Sequence, residues 1–600
     1  MFVLFQTVIN TGKHYSFRKI LNAPLPSCKC LLNRNISDAP KKFITFDEVV
    51  AQRRAEAQRS LVVQVNSESS FNELYGYCSR YASINGIHHY KNNGGEHFML
   101  IEFASEDNLK DILRSCGSHH KDLDVMALQS PFLWFRAVAN KKEKFTVPET
   151  QLINKDGTLP VNEDTLFEQL SHCKTVSDQI QVLYEHTMLN DLGVRLRYMV
   201  ARQLETIMES LYANMAVRPF GSSVNGFGKM GCDLDLVLTN ELTQEMTDPN
   251  KRLVYQEKKC EGGRSPWQRH MELMGELIEL RVPGATRVQR ILNARVPIVK
   301  YAHELSGVDC DLCYSNMSGV YMSELLWLYG SLDPRVRPLT FVIRRWAQTV
   351  GLTNPHPGRW ITNFPLTLMV LFFLQQKTKD GFVLPPLKFM SKIATKDDIR
   401  IAEDYVNCTF VRDLNRLPPE SYGQSQSNLQ TLLLQFFEFY SQFDFQDKAI
   451  SINEGAPVRK PNNLPLYIVN PIEQALNVSR NVSFEECERL KMEVRNAAWQ
   501  LESCTEGDRT DDWGLLGLIE KRTTRGLKKL LRVGNSHRLV SVKDLFNEED
   551  TSDKRLSKKS DKESAKVAQT VKVEKKEQKI KFKNTTIANE VYRIRRDKIV

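Results

Sequence analysis

Between about Lys42 and Ala139 the apolar residues fall into short runs of two kinds: LVVQV, INGIHHY, HFMLIEFAS and FLWFRAV alternate, while FNELYGYCSRYAS and EDNLKDILRSC repeat at helical spacing. Taken in chain order they predict a small module arranged β-α-β-β-α-β. Helical periodicity continues from Ser177 to Met215 and returns over Arg337 to Leu352. Two short apolar runs carry aspartates, DLDLVL after Cys232 and VDCDLCYSN from Val308 to Asn316, and both predict strands. Ile361 to Gln375 is mostly apolar, which predicts core, and is too short to cross a bilayer. The polar, glycine-bearing stretch from Asn240 to Pro266 predicts an exposed insertion. Beyond Val540 lysine and glutamate replace apolar residues, so that tail is expected to be disordered or a solvated helix. The pattern predicts an α+β chain of several domains.

The chemistry concentrates in FGSSVNGFGKMGCDLDLVL, Phe220 to Leu238. Asp233 and Asp235 are two apart and share one face of a strand. A strand that ends in such a pair can hold two divalent cations, which stabilise the attacking and leaving oxygens of an in-line phosphoryl displacement. The Gly221-Ser222 turn adds backbone N–H groups and a hydroxyl for phosphate oxygens, without adding charge. The element is expected to hold a nucleoside triphosphate against metals. Gly226-Phe-Gly228-Lys229 is not a P-loop, since Met230 stands where a Ser or Thr is required.

Gly-Ser followed about ten residues later by Asp-x-Asp resembles the nucleotidyltransferase superfamily that includes DNA polymerase beta. That resemblance implies a third carboxylate from a neighbouring strand. Alternation puts Asp309 and Asp311 on one face and cannot separate them; the family pattern Asp-hydrophobic-small-x-x-Asn matches Asp311 to Asn316 and implies Asp311. It also implies that Asp233, Asp235 and Asp311 bind the metals, Mg²⁺ or Mn²⁺, while an RNA 3′-hydroxyl attacks the α-phosphate.

Later segments resemble the template-independent poly(A) polymerases and terminal uridylyl transferases. In their Lys-x-Trp-Ala-Lys helix Arg344 takes the first lysine position and Gln348 the second, so one positive charge is missing. Asn363 and Phe364 occupy the place of a Ser-Tyr pair that receives the base, and phenylalanine keeps the stacking face. Ser323 stands either near the phosphates or as the N-cap of the helix beginning with Glu-Leu-Leu. Asn463 to Glu486 resembles the poly(A)-polymerase-associated region that closes over the base. There Leu476 replaces the histidine that uridylyl transferases carry before Asn477-Val-Ser-Arg480, which favours ATP over UTP. The implied architecture is a presequence over 1–39, an RNA-recognition-motif-like module over 42–140 and leading helices over 165–215. A nucleotidyltransferase palm follows over 216–320, then a helical poly(A)-polymerase-associated domain over 321–501 and a charged tail over 540–600.

The 600 residues, 41% of them hydrophobic, suffice for several cores, and a formal net charge of +10 suits a polyanionic partner without demonstrating one. Met1 to Ala39 is basic and hydroxyl-bearing with no acid before Asp38, as in a mitochondrial presequence, so matrix import is expected. Twelve scattered cysteines do not suggest a disulfide framework. In the first module Leu61 to Val65 and Glu96 to Phe103 resemble the two ribonucleoprotein strands. Glu96 and Leu100 replace the usual basic and aromatic residues, leaving Phe98 and Phe103 for stacking. Such a sheet could position RNA or pair subunits, and its similarity to the RNA-binding-like domain of animal mitochondrial poly(A) polymerases implies pairing into a homodimer through 42–140. The order of motifs from Thr165 to Leu501 resembles the mitochondrial branch of the poly(A) polymerases. Expected partners are ATP and RNA 3′ ends, with no membrane insertion; the alternatives are a terminal uridylyl transferase and a non-catalytic RNA-binding scaffold.

Overall fold

The computed structural model describes residues 43–117, 128–135, 148–154, 159–209, 215–240, 265–354, 358–377, 381–503 and 513–520. The expected presequence, the insertion after Asn240 and the charged tail lie outside the described residues, apart from the insertion's flanking ends.

Helix α1 (Phe46–Gln58) starts at a reciprocal capping box between Thr45 and Glu48, which satisfies two backbone donors at once. There follow β1 (Ser60–Val65), α2 (Phe71–Cys78), β2 (Ile84–Lys91), β3 (His97–Phe103), α3 (Glu106–Ser115), β4 (Phe132–Trp134) and β5 (Leu152–Asn154). The strands form a sheet ordered β4-β1-β3-β2-β5. Its two faces have different neighbours. Leu61, Val63, Met99, Ile101 and Phe103 pack under Leu74 of α2 and Leu109 and Ile112 of α3. Val62, Tyr90, Phe98 and Leu100, one step out of phase, join the core of the next region.

Helices α4 (Glu163–Ser171) and α5 (Val176–Thr187) come next, then α6 (Asp191–Met208). The helix-like stretch from Ser177 to Met215 is therefore divided, as the expected plural leading helices allow. Met188 bridges Lys229, and Asn190 accepts the Gly193 N–H to start α6 afresh. The second sheet comprises β6 (Met215–Phe220), β7 (Leu234–Asn240), β8 (Ala285–Ile291), β9 (Ile298–His303) and β10 (Val308–Tyr314), with α7 (Pro266–Arg281) between β7 and β8. Its order is β6-β7-β10-β9-β8, and only β7 and β10 run parallel to each other. Leu234, Leu236, Leu238, Cys310 and Leu312 line one face and pack against Leu196 and Met199 of α6 and Met271 and Met274 of α7. The alternate face mixes buried Val237 and Cys313 with polar groups. Helix α6 lies between the two sheets, which is why so few of its positions are exposed.

The rest is helical: α8 (Met317–Leu332), α9 (Val336–Thr349), α10 (Asn363–Leu374), α11 (Leu387–Ile393) and α12 (Leu429–Gln442), a small ladder of β11 (Lys448–Ala449) and β12 (Val458–Arg459), then α13 (Phe484–Ser503) and α14 (Leu515–Ile519). Every residue of α10 from Pro365 to Leu374 is buried, as expected of a helix apolar on all sides. Helices α4 and α5 join this helical core, and so does α14, which lies beyond the expected boundary at Leu501. No described helix is long and apolar enough to cross a membrane.

Candidate active site

Strand β6 ends in a single turn of 3₁₀ helix at Gly221–Ser223. Gly221 has φ +67°, and a Cβ there would collide with Asp235 Oδ2, so both backbone and space demand glycine. Its N–H is already taken by Ser323 Oγ at 2.7 Å, and the same hydroxyl donates to the Gly319 carbonyl at 2.7 Å. Ser323 is buried within α8, whose N-cap is Asn316, so the N-cap alternative for Ser323 is overturned. The serine locks the turn from beneath, and the Gly221 amide is not free for phosphate. Ser222 is half-buried on the same turn, its carbonyl pressed against Gly228, where no side chain would fit.

Asp233 precedes β7 and Asp235 is its second residue, so the pair sits where the strand begins and not where it ends, contrary to the expectation. The apolar residues that follow Asp235 are the body of the strand. Asp235 faces Phe220 across β6 and Asp311 across β10, and residues paired in a ladder point to the same side. Asp235 and Asp311 therefore share one face, opposite to that of Leu234, Leu236 and Cys310, and Asp233, just ahead of β7, lies near enough to feel the Asp311 charge. Asp309 lies outside the ladder with β7, which begins at Cys310, and pairs with exposed Arg287 at 3.1 Å.

Burial pushes the Asp235 carboxyl up to about 7, and the neighbouring Asp311 and Asp233 charges add to it. Asp233 is raised for the same reasons, burial first and then Asp311. Two raised carboxyls, Asp233 and Asp235, beside a third carboxylate are a donor set that a divalent cation would relieve, and all-oxygen ligands suit hard cations. They fit metals in kind, although among the described residues no three His, Cys, Asp or Glu side chains are drawn together into a finished cage. In this arrangement Lys300 of β9, opposite Asp311 in register, supplies the positive charge at 2.8 Å.

Two residues that the sequence reading missed hold this site. Arg197 of α6, fully buried, donates to Ser223 Oγ at 3.1 Å, to the Cys232 carbonyl at 2.5 Å and to the Gly193 carbonyl at 3.0 Å, while Ser223 Oγ donates to the Asp233 carbonyl at 3.2 Å. One guanidinium thus fixes the turn and the approach to β7 together. Lys300 is the other: alternation in IVKY fixes its face, but only the register of β9 against β10 puts it beside Asp311.

Arg344 of α9 is half-buried. It donates to the Phe227 carbonyl at 2.7 Å and to Thr367 Oγ1 at 3.0 and 2.5 Å, tying the loop after the turn to α10. Burial lowers it to about 10, so it stays cationic near neutral pH. Gln348 is exposed one turn further on. Asn363 is exposed at the start of α10, and Phe364 beside it packs half-buried on the helical core. Asn477 is buried, its side chain satisfied by the Ile468 and Ser479 N–H groups and the Leu466 carbonyl, so it shapes the loop that presents Leu476. In the first module Phe98 and Phe103 lie on opposite faces and both are buried, so neither offers a ring to a base. Their odd separation already required opposite faces.

The family described as "Poly(A) RNA polymerase, mitochondrial-like, central palm domain" matches residues 176–331, and "Cid1 family poly A polymerase" matches 428–468. The mitochondrial poly(A) RNA polymerase of Drosophila melanogaster is 46% identical over 84% of this chain and 84% of its own length. This chain belongs to the mitochondrial poly(A) RNA polymerase family. The human member is 34% identical over 84% of this chain and 85% of its own. Crystal structures of a mitochondrial poly(A) polymerase in its apo form and with UTP both superpose with TM-score 0.71 at 32% identity, covering 79% of this chain and 99% of theirs. Membership makes the palm that of a nucleotidyltransferase and the protein a mitochondrial enzyme of the poly(A) polymerase class.

Proposed function

We propose that this chain adds AMP from ATP to RNA 3′ ends in the mitochondrial matrix, without a template. The observation that carries the reading is the register of β7 and β10, which sets Asp235 beside Asp311 on one face of the second sheet. Asp233, Asp235 and Asp311 would hold Mg²⁺ or Mn²⁺, which when bound lower the pKa of the attacking 3′-hydroxyl and neutralise charge on the departing pyrophosphate. Ser222 and Arg344 offer a hydroxyl and a cation to the phosphates, and Arg344 would have to share or give up its internal acceptors to do so. Ser323 acts one step back, by fixing Gly221. Asn363 and Phe364 face the base, with the Leu476 loop opposite.

The buried sheet face of the first module supports a scaffolding role for 42–140 over base stacking; the homodimer remains part of the proposal, through the surfaces this packing leaves. Structures of a relative carry UTP, CTP, GTP or an ATP analogue, so binding alone does not establish the donor. The test is incorporation: unstructured RNA, Mg²⁺ or Mn²⁺ and each triphosphate separately. ATP ladders are expected, UTP ladders would give the uridylyl alternative, and RNA binding with no extension under either metal would leave a scaffold.

A further inference from the structure

The β8–β9 turn carries Arg295, five residues before Lys300 in the strand that borders Asp311. Arg295 Nη2 donates to Glu473 Oε2 at 2.8 Å, an ion pair between the palm and the segment that presents Leu476. Glu473 belongs to a tight turn. Asn470 Oδ1 accepts the Ile472 and Glu473 N–H groups at 3.0 Å, and the Leu476 N–H donates to the Glu473 carbonyl at 2.8 Å. A pull on Glu473 therefore moves Leu476 with it. Beyond Leu476 the same segment is tied to the approach to α10, where Asn481 Nδ2 donates to the Gly358 and Trp360 carbonyls at 2.8 and 2.9 Å.

With the Arg344 contacts to Phe227 and Thr367, these bonds close a ring. They link the palm, with its three aspartates, to the start of α10, with Asn363 and Phe364, by two routes, and a triphosphate bound as proposed above would lie between those routes. The links of the ring are not alike. Arg344 is half-buried and Asn481 bonds to backbone, whereas the side chains of Arg295 and Glu473 are 59% and 24% exposed. An ion pair so exposed is weak, is screened by salt, and can break without leaving a buried charge unpaired.

We propose that Arg295 and Glu473 form a latch across the mouth of the nucleotide slot, holding the Leu476 turn against the palm and opening to admit ATP and release pyrophosphate. The inference rests on the functional reading for the identity of what passes. It assigns these two residues a positioning role, since neither need touch the reacting atoms.

The test uses the full chain with Arg295→Glu, Glu473→Arg and the double exchange, which restores opposite charges. Amide hydrogen exchange across 466–482 is expected to quicken in each single variant and to return in the double. Dissociation of a non-hydrolysable ATP analogue with Mg²⁺ is expected to speed up about two- to fivefold in the single variants, the size of an exposed ion pair, and to recover in the double. High salt should erase these differences. Unchanged exchange in the single variants, or a double variant as impaired as either, would overturn the latch. Faster exchange with unaltered nucleotide dissociation would overturn it too, leaving a pin without a gating role. A wild type that binds the analogue but adds no AMP would defeat the adenylyl reading instead, with the latch measurements still standing.

Discussion

The two sheets both have five strands and differ in what the second face carries. In the first, both phases of the alternation are apolar: Met99, Ile101 and Phe103 pack under helices, Phe98 and Leu100 pack into the palm. In the second, one phase is apolar and the other holds Asp235, Asp311 and Lys300, with Asp233 just ahead of β7. Ionic groups at the two regions differ in the same sense. Asp191, at the junction of α1 and α6, is pushed up by burial, but Arg53 and Arg195 outweigh that and hold it at about 2, whereas Asp235 has acids for neighbours and stands at about 7. A carboxylate among arginines supports the fold, and one among carboxylates opposes it until a cation arrives.

Asp235→Asn should break the comparison most sharply. Loss of a metal-ligating charge is expected to cut AMP addition by more than about a thousandfold, the rate equivalent of about 4 kcal/mol. Thermal unfolding of the metal-free protein should at the same time shift upward or stay level. A variant that lost activity only because it unfolded earlier would remove Asp235 from the site.

Phe98→Ala tests the other sheet. Truncating a ring buried on the palm side should cost about 3 to 5 kcal/mol in denaturant unfolding, while RNA affinity per folded molecule stays within about twofold. The reverse outcome, weaker RNA binding at unchanged stability, would restore the stacking role.

Next in size is the pH dependence. Asp235 has a folded-state pKa near 7 against an unfolded value near 3.9, so the folded protein binds the extra proton between those limits. Stability of the metal-free chain should therefore fall by about 2 to 4 kcal/mol as pH rises from about 4 to 7. Asp191 runs the opposite way: its contribution is complete above about pH 4 and is lost as pH falls toward 2. Urea midpoints from pH 3 to 8 in chelator, on wild type and Asp235→Asn, separate the two. Equal slopes above pH 4 in both proteins would contradict the assignment.

Much of the site was readable because it is local. Asp233 and Asp235 are two apart, the turn is adjacent in sequence, and alternation fixes their common face. What alternation cannot supply is the neighbour across a ladder, so Lys300 beside Asp311 was invisible until the register of β9 and β10 was known. Arg197 was hidden for another reason. A helix between two sheets buries nearly its whole circumference, and an arginine on it looks solvated unless both sheets are in view. The cap alternative for Ser323 arose because a serine before apolar residues signals a cap, while the actual cap, Asn316, stands nearly two turns earlier. The β-α-β-β-α-β order of the first module followed from periodicity and the palm from its resemblance to a family, but the burial of both faces of the first sheet depended on a packing partner far away in the chain.

The smallest expected effect is the most discriminating for the site. Asp309 and Asp311 are the same residue type on the same face of the same strand, so any argument from composition, charge or alternation treats them alike. They differ in where β7 starts: its ladder with β10 opens at Cys310, which leaves Asp311 beside Asp235 and Asp309 beyond the ladder, salt-bridged to Arg287 with both side chains mostly exposed. An exposed pair contributes at most about 1 kcal/mol. Asp309→Asn should then change single-turnover AMP addition by no more than about twofold and stability by about 0.5 kcal/mol or less, where Asp311→Asn is expected to abolish addition. Equal losses in the two variants would mean that the acidic face extends past the start of β7, and that strand register is not what selects the third carboxylate.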